Sequence, residues 1–266
     1  MTDEVEAVEV GDGLRLEYVR QGDPDGIPVL LLHGNTDSWR AWELLLPHLP
    51  PSIRAFAISQ RGHGDSARPD HGYTMAGFAG DVSAFMDALA IDAAVVVGHS
   101  SHGLVAQRFA IDEPERTLGL VSISAPATVR DKQGIRDLVT ELAAVTDPLD
   151  PNYVREFQAG TFTLPISEAF VEAVLSETLK VPAHVWRASF EGLLDEDVSP
   201  QRHRIRLPTL LLWGDEDPLV GRAEQEAMLA QIAHAALVVY PGVGHSPQWE
   251  VPERVARDLA AFVGDL

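Results

Sequence analysis

Short, largely apolar runs recur along the chain at intervals that leave room for a helix between them. Such runs are typical of strands buried on both faces of a parallel sheet. They lie at 28–32, 53–58, 95–97, 118–124, 208–213 and 236–240. The stretch Leu14–Val19 alternates between apolar and polar residues instead, which predicts an antiparallel strand at the edge of the sheet.

Between these runs, apolar residues recur at the spacing of amphipathic helices. Thr74 is a candidate N-cap for a helix whose apolar face begins at Met75 and Phe78. Further helices are predicted over Trp39–His48, after Ser100, over 222–232 and from Pro252 onwards. Strands that alternate with helices predict an α/β fold, with a mostly parallel sheet flanked by helices.

The pattern changes from about Ala127 to Ile205, where the alternation of strands and helices stops. Helical segments take over around 131–145, 151–158, 167–179 and 182–194. We therefore predict a helical cap, or lid, over 127–205. It is inserted into an α/β core formed by 1–126 and 206–266.

Charge and composition narrow the classes of partner. The formal net charge is −20, and lysine occurs only at Lys132 and Lys180. Such a surface repels phosphate backbones and anionic lipids, so we expect no nucleic acid and no membrane as a partner. The chain has no cysteine, no apolar run near ~20 residues, and an acidic N-terminus without a basic-then-apolar signal. We therefore expect a cytoplasmic protein, a monomer or a homodimer, that acts on a small molecule.

Polar residues with catalytic chemistry follow several of the predicted strands. His33-Gly34-Asn35 follows the first apolar run, and Ser100 follows the run at 95–97. Asp217 comes just after the run that ends at Trp213, and His245 after the run that ends at Tyr240. Because sites in open parallel sheets form at the carboxyl ends of the strands, we expect a nucleophile, an acid and a base to meet there.

Ser100 lies in a stretch that resembles a nucleophile elbow, G-x-S-x-G, in which a tight strand-to-helix turn exposes the serine hydroxyl. Gly98-His99-Ser100-Ser101 matches the pattern, but His102 occupies the second glycine position and Gly103 follows one residue later. A register shifted by one residue, Ser101-His102-Gly103, is similar to the elbow of cofactor-free ring-cleaving dioxygenases.

The chain resembles the α/β-hydrolase superfamily, in its lid-bearing branch of small esterases, lactonases and C–C hydrolases. The resemblance spans nearly the whole chain. It rests on ordered motifs: His33-Gly34, Arg61-Gly62-His63-Gly64, Gly98-His99-Ser100, Gly214-x-x-Asp217 and Gly244-His245. It implies a sheet of eight mostly parallel strands, a catalytic triad of Ser100, Asp217 and His245, and an oxyanion hole built from the backbone N–H groups of Asn35 and Ser101. Asp215 and Glu216 are rivals for the acid on spacing.

His102 departs from the family pattern, and it leaves two alternatives open. Its ring either packs along the helix or points into the pocket beside Ser100, and we favour the second. Trp39, near the oxyanion loop, and Trp186, in the cap, are candidates to line an apolar acyl pocket. No cluster of His, Asp or Glu has a convincing metal spacing, so we expect neither a metal nor a cofactor.

The expected function is that of a serine hydrolase acting on a small, neutral or apolar carboxylic ester or lactone. Alternatives are a C–C bond hydrolase of ring-cleavage products, a cofactor-free dioxygenase, and a receptor or signalling protein that turns over slowly. A haloalkane dehalogenase is excluded because Ser100 stands where that chemistry needs a carboxylate nucleophile.

Overall fold

The architecture is a single eight-stranded sheet with helices on both faces, seen in a computed structural model that describes residues 4–266. Residues 1–3, with which the predicted core begins, lie outside the described part. The strands are β1 Val5–Val10, β2 Leu14–Gln21, β3 Ile27–Leu32, β4 Ile53–Ser59, β5 Ala94–His99, β6 Thr117–Ile123, β7 Thr209–Gly214 and β8 Ala235–Tyr240.

The strand order is β1-β2-β4-β3-β5-β6-β7-β8, which confirms the predicted mostly parallel sheet. Strand β2 pairs antiparallel with β1 and β4, and the remaining neighbours are parallel. The prediction of Leu14–Val19 as an edge strand was wrong. Strands β1 and β2 form a hairpin in which Val10 pairs with Leu14 next to the turn, so β1 is the edge strand of the sheet.

Nine α-helices are present among the described residues. They are α1 Met75–Ala88, α2 Ser101–Asp112, α3 Gln133–Leu142, α4 Pro151–Ala159, α5 Glu168–Lys180, α6 Ala183–Asp195, α7 Arg222–Gln231, α8 Pro247–Glu250 and α9 Pro252–Gly264. The Thr74 hydroxyl accepts the Gly77 N–H at 3.0 Å, as expected of an N-cap.

The helix predicted over Trp39–His48 is two short 3₁₀ segments instead, Trp39–Trp42 and Leu46–His48. Pro47 lies in the first turn of the second segment and has no N–H to continue an α-helical ladder from the first. The apolar side chains of this stretch are nevertheless buried, as the pattern predicted.

Two apolar layers cover the sheet because neighbouring residues of a strand point to opposite faces. Leu30 and Leu32 pack with helices α1 and α2 on one face. Val29 and Leu31 pack with the first 3₁₀ segment and α9 on the other. The parallel strands are thus buried on both faces, and their carboxyl ends form one edge from which the site loops emerge.

Helices α3 to α6 all lie between β6 and β7, in the stretch for which a cap was predicted. Many of their buried residues, among them Leu142, Val154, Leu175 and Trp186, join the same apolar cluster as α1 and α2. The segment therefore shares a continuous apolar core with the helices on that face of the sheet. Within residues 4–266, no helix is both long and apolar enough to cross a membrane.

Candidate active site

The turn between β5 and α2 presents Ser100 in a strained conformation. Its φ is +54°, a value that non-glycine residues rarely adopt. The Ser100 N–H donates to the Ile123 carbonyl at 2.9 Å, and the Ser100 carbonyl accepts from the Gly103 N–H at 2.9 Å. A Cβ at Gly98 would lie 2.3 Å from the His102 carbonyl oxygen, so only glycine fits there. The turn is therefore the sharp elbow that the motif predicts.

The His102 ring points away from the cavity, and the expectation that it shapes the pocket was wrong. It is 1% exposed and packs edge-on against Phe78, with ring centroids 4.7 Å apart. Its Nδ1 lies 2.8 Å from the Gln60 amide nitrogen and within hydrogen-bonding distance of the His33 carbonyl. A glycine in the family pattern at position 102 allows the helix to pack closely. In this chain the close contact lies at Gly103, where a Cβ would lie 2.3 Å from the Ala125 Cβ.

Ser100, His245 and Asp217 come together as a hydrogen-bonded chain. His245 Nε2 lies 2.8 Å from Ser100 Oγ, and His245 Nδ1 lies 2.8 Å from Asp217 Oδ2. The other Asp217 oxygen accepts the backbone N–H groups that follow it, at Leu219 and Val220. These bonds fix the carboxylate so that it receives the Nδ1–H and leaves Nε2 as the acceptor for the serine proton.

The two rival acids lie elsewhere. Asp215 and Glu216 are exposed, and Asp215 accepts the Gly242 N–H at 2.6 Å, which shapes the turn after β8. Among the described residues the His245 ring is hydrogen-bonded to Asp217 and to neither of these two acids. The geometry thus favours Asp217, as the family pattern implied.

Two side chains, half-buried Glu250 and buried His99, hold the loop that carries His245. Both oxygens of Glu250 lie 3.0 Å from the Gly244 nitrogen, and one of them also accepts the N–H groups of Thr163 and Leu164. The His99 Nε2–H donates to the His245 carbonyl at 3.0 Å. Burial lowers the pKa of His99 to about 3, so this ring stays neutral.

The backbone N–H groups of Asn35 and Ser101 lie beside the nucleophile. The Asn35 N–H donates to Ser101 Oγ at 3.2 Å, whereas the Ser101 N–H has no acceptor among the described residues. His33 fixes the preceding loop, since its Nδ1–H donates to the Gly34 carbonyl and its Nε2 accepts the Gln60 N–H. Together with the N-terminus of α2, these groups give the floor of the site a positive potential.

A cavity of about 410 Å³ opens over Ser100 and His245. This volume is typical of small-molecule sites. Most of its wall is apolar, and much of it comes from the segment between β6 and β7. The apolar side chains include Val129, Ile135, Leu138, Phe157, Phe190 and Leu193.

Trp39 and Trp186 are not part of this wall, contrary to the prediction. Trp39 packs into the apolar layer on the other face of the sheet, with the Arg40 guanidinium 4.7 Å above its ring. Trp186 lies behind Phe157, with ring centroids 4.9 Å apart, and Phe157 contacts the cavity in its place. The spacing of the two tryptophans along their segments predicts that both are buried, but it does not predict which buried side chains face the cavity.

Sequence reasoning missed a polar pair in the cavity wall, Asp37 and Gln158. Asp37 Oδ1 accepts from Gln158 Nε2 at 3.0 Å, and Gln158 Nε2 also donates to Thr178 at 2.9 Å. Burial raises the pKa of Asp37 to about 7, with a smaller opposing effect of the bond from Gln158. The position of Asp37 in the oxyanion loop was a usable signal, whereas nothing in the sequence marks Gln158.

No group of three or more His, Asp or Glu side chains within residues 4–266 is arranged to hold a metal ion.

The chain matches the model of the alpha/beta hydrolase fold family over residues 27–252, and it belongs to that family. Non-heme chloroperoxidase of Streptomyces lividans is 28% identical over 271 residues, which cover 96% of this chain and 98% of that protein. A hydrolase from Pseudomonas aeruginosa PA01 has a TM-score of 0.89 at 26% identity and covers 99% of this chain and 100% of its own. Esterase RhEst1 from Rhodococcus sp. ECU1013 has a TM-score of 0.87 at 25% identity, with coverages of 98% and 99%. Fold, family and neighbours together support a hydrolase.

Proposed function

We propose that this protein is a serine hydrolase that cleaves a small neutral or apolar carboxylic ester or lactone through an acyl-enzyme on Ser100. One observation carries the proposal. The Ser100 hydroxyl, the His245 ring and the Asp217 carboxylate form an unbroken hydrogen-bonded chain, with both links at 2.8 Å, on the floor of a cavity. This constellation activates a serine for attack on a carbonyl carbon.

In the acylation step, His245 Nε2 takes the Ser100 proton as Oγ bonds to the ester carbonyl carbon. The carbonyl π electrons move onto oxygen, and the N–H groups of Ser101 and Asn35 stabilise the resulting oxyanion. Donors of this kind contribute about 3–4 kcal/mol each in related chemistry. The Asn35 N–H must exchange its present acceptor, Ser101 Oγ, for the oxyanion.

The tetrahedral intermediate collapses when the carbon–oxygen bond to the alcohol breaks, and His245 returns the proton to the leaving oxygen. Water then attacks the acyl-enzyme, with His245 again as base, and releases the acid and a free Ser100. Throughout, Asp217 holds the ring in one tautomer and stabilises its cationic form.

The character of the cavity supports the substrate class. Its wall is mainly aliphatic and aromatic, and its cationic residue, Lys132, is bonded to Glu224 at 2.8 Å. Among the described residues that line the cavity, a fixed anionic group on the substrate would therefore find no free cationic side chain. This weighs against the anionic ring-cleavage products of a C–C hydrolase. The inward packing of His102, away from the cavity, weighs against the shifted dioxygenase register.

Turnover of p-nitrophenyl esters of graded chain length, together with simple lactones, tests this proposal. We expect many turnovers per molecule for the wild type and none above buffer for Ser100→Ala. Ser101→Ala is the matched control, because it removes the neighbouring hydroxyl and keeps the backbone N–H, and we expect its rate to stay within about tenfold. Fewer than a few turnovers per molecule on every substrate would favour the slow receptor alternative.

A further inference from the structure

A polar cluster interrupts the apolar wall of the cavity on one side of Ser100. A Cβ at Gly34 would lie 3.1 Å from His99 Nδ1, 3.3 Å from Asp37 Oδ2 and 3.4 Å from Ser100 Cβ. Groups from two segments, the elbow that carries His99 and Ser100 and the loop that carries Asp37, thus converge on one point. Asp37 Oδ2 therefore borders the space beside the nucleophile, not the distant end of the cavity.

Several polar atoms in or next to this cluster lack partners. The Nδ1 of His99 and the amide oxygen and nitrogen of neighbouring Asn35 are buried and have no hydrogen-bond partner among the described residues. Asp37 is 4% exposed, its side chain receives one hydrogen bond, from Gln158, and within residues 4–266 it forms no salt bridge. Buried polar groups are rarely left unsatisfied, so the cluster calls for a ligand group that both donates and accepts.

We propose that Asp37, supported by Gln158, forms a subsite for a hydroxyl group close to the scissile carbonyl, which makes a 2-hydroxyacyl or 3-hydroxyacyl ester the preferred substrate class. A hydroxyl can donate to Asp37 Oδ2, and Asn35, in the same loop and also in the cavity lining, carries an amide without a partner among the described residues. This inference rests on the hydrolase function proposed above and names the substrate class of the same site.

Two features favour a hydroxyl over an ammonium group, the other natural partner of a carboxyl. The N-terminus of α2 and the free Ser101 N–H place positive potential next to the subsite, which disfavours a cation. The Asp37 carboxyl is also partly protonated near pH 7, because burial raises its pKa, and it then donates to a neutral oxygen. His99 and His245 share the cavity, and Lys132 in its lining is bonded to Glu224.

The kinetic test compares p-nitrophenyl butanoate with its 2-hydroxy and 3-hydroxy derivatives. We expect kcat/KM for at least one hydroxy ester to exceed that of the parent by about tenfold or more in the wild type. Asp37→Leu should bring this ratio close to the ratio of the uncatalysed rates, and Asp37→Asn should retain part of the preference. Leu138→Ala is the control, since an apolar wall change should affect all three esters alike. Equal ratios in the wild type and Asp37→Leu would overturn the proposal.

A binding test separates this inference from the proposed function. Ser100→Ala protein is titrated with butanamide, with its 2-hydroxy and 3-hydroxy derivatives and with 3-aminobutanamide, followed by NMR chemical shifts. At least one hydroxy amide should bind at least severalfold more tightly than the parent, and Asp37→Asn in the same background should reduce the gap. Tighter binding of the amine than of both hydroxy amides, or equal binding of all four amides, would refute the hydroxyl subsite. Absence of ester turnover with a retained hydroxyl preference would refute only the proposed reaction.

Discussion

Acid lability should be the clearest physical signature of the histidines packed around the elbow. His33, His63, His99 and His102 are all buried, and burial lowers the pKa of each. The pKa is about 4 for His63 and about 3 for His99 and His102. In the unfolded chain each of these rings titrates near pH ~6.5.

The direction in which stability changes with pH follows from the numbers of protons that the folded and unfolded chains bind. Between pH ~6.5 and the folded pKa values, the unfolded chain binds protons that the folded chain does not, so stability falls as pH falls. Each histidine contributes up to roughly 1.4 kcal/mol per pH unit in this window. Asp37 and Asp81 act in the opposite direction, because burial raises the pKa of both carboxyls. The net expected loss is roughly 2–4 kcal/mol per pH unit between pH ~6 and ~5, a large share of a typical folding free energy.

Urea denaturation followed by tryptophan fluorescence at pH 7, 6 and 5 measures this loss directly. The variant His102→Gln removes one titrating ring and should reduce the slope by roughly 1 kcal/mol per pH unit. An unfolding free energy that stays constant from pH 7 to 5, or an unchanged slope in His102→Gln, would refute the reasoning.

Three further predictions follow from the site geometry. Asp217→Asn should lower turnover by roughly three to four orders of magnitude with the thermal midpoint little changed, and exposed Asp215→Asn should stay near wild type; the reverse pattern in ester assays would show that the acid is misassigned. Glu250→Ala removes the acceptor of three backbone N–H groups and should cost about 2 kcal/mol in stability and also lower kcat/KM, whereas calorimetry showing an unchanged midpoint would contradict this role. Gly98→Ala brings a methyl against a backbone oxygen and should abolish turnover, so a wild-type rate would exclude the described elbow.

Much of the fold and the site could be predicted because the signals are local. Buried parallel strands are apolar runs in the sequence, and each of the three triad residues follows shortly after such a run. The position of Asp217, third after Gly214, distinguished it from its neighbours only through the family resemblance. The structure adds the physical reason for this assignment, since one Asp217 oxygen accepts the backbone N–H groups of Leu219 and Val220, and these bonds fix the carboxylate.

The errors concern side-chain direction, which local patterns do not encode. His102 lies in the first turn of α2, and its ring could face either side until the contacts with Phe78 and Gln60 are known. Trp186 is buried as predicted, yet Phe157 intervenes between it and the cavity. The bond between Asp37 and Gln158 joins residues 121 positions apart, and no periodicity in the chain connects them.

The identity of the nucleophile tests the proposed hydrolase most directly. Wild-type protein is treated with a fluorophosphonate probe, digested and mapped by tandem mass spectrometry. The geometry predicts a single phosphonylated residue, Ser100, with labelling lost in Ser100→Ala and His245→Ala and retained in Ser101→Ala. A phosphonate on Ser101, or labelling that survives in Ser100→Ala, would contradict the proposed mechanism.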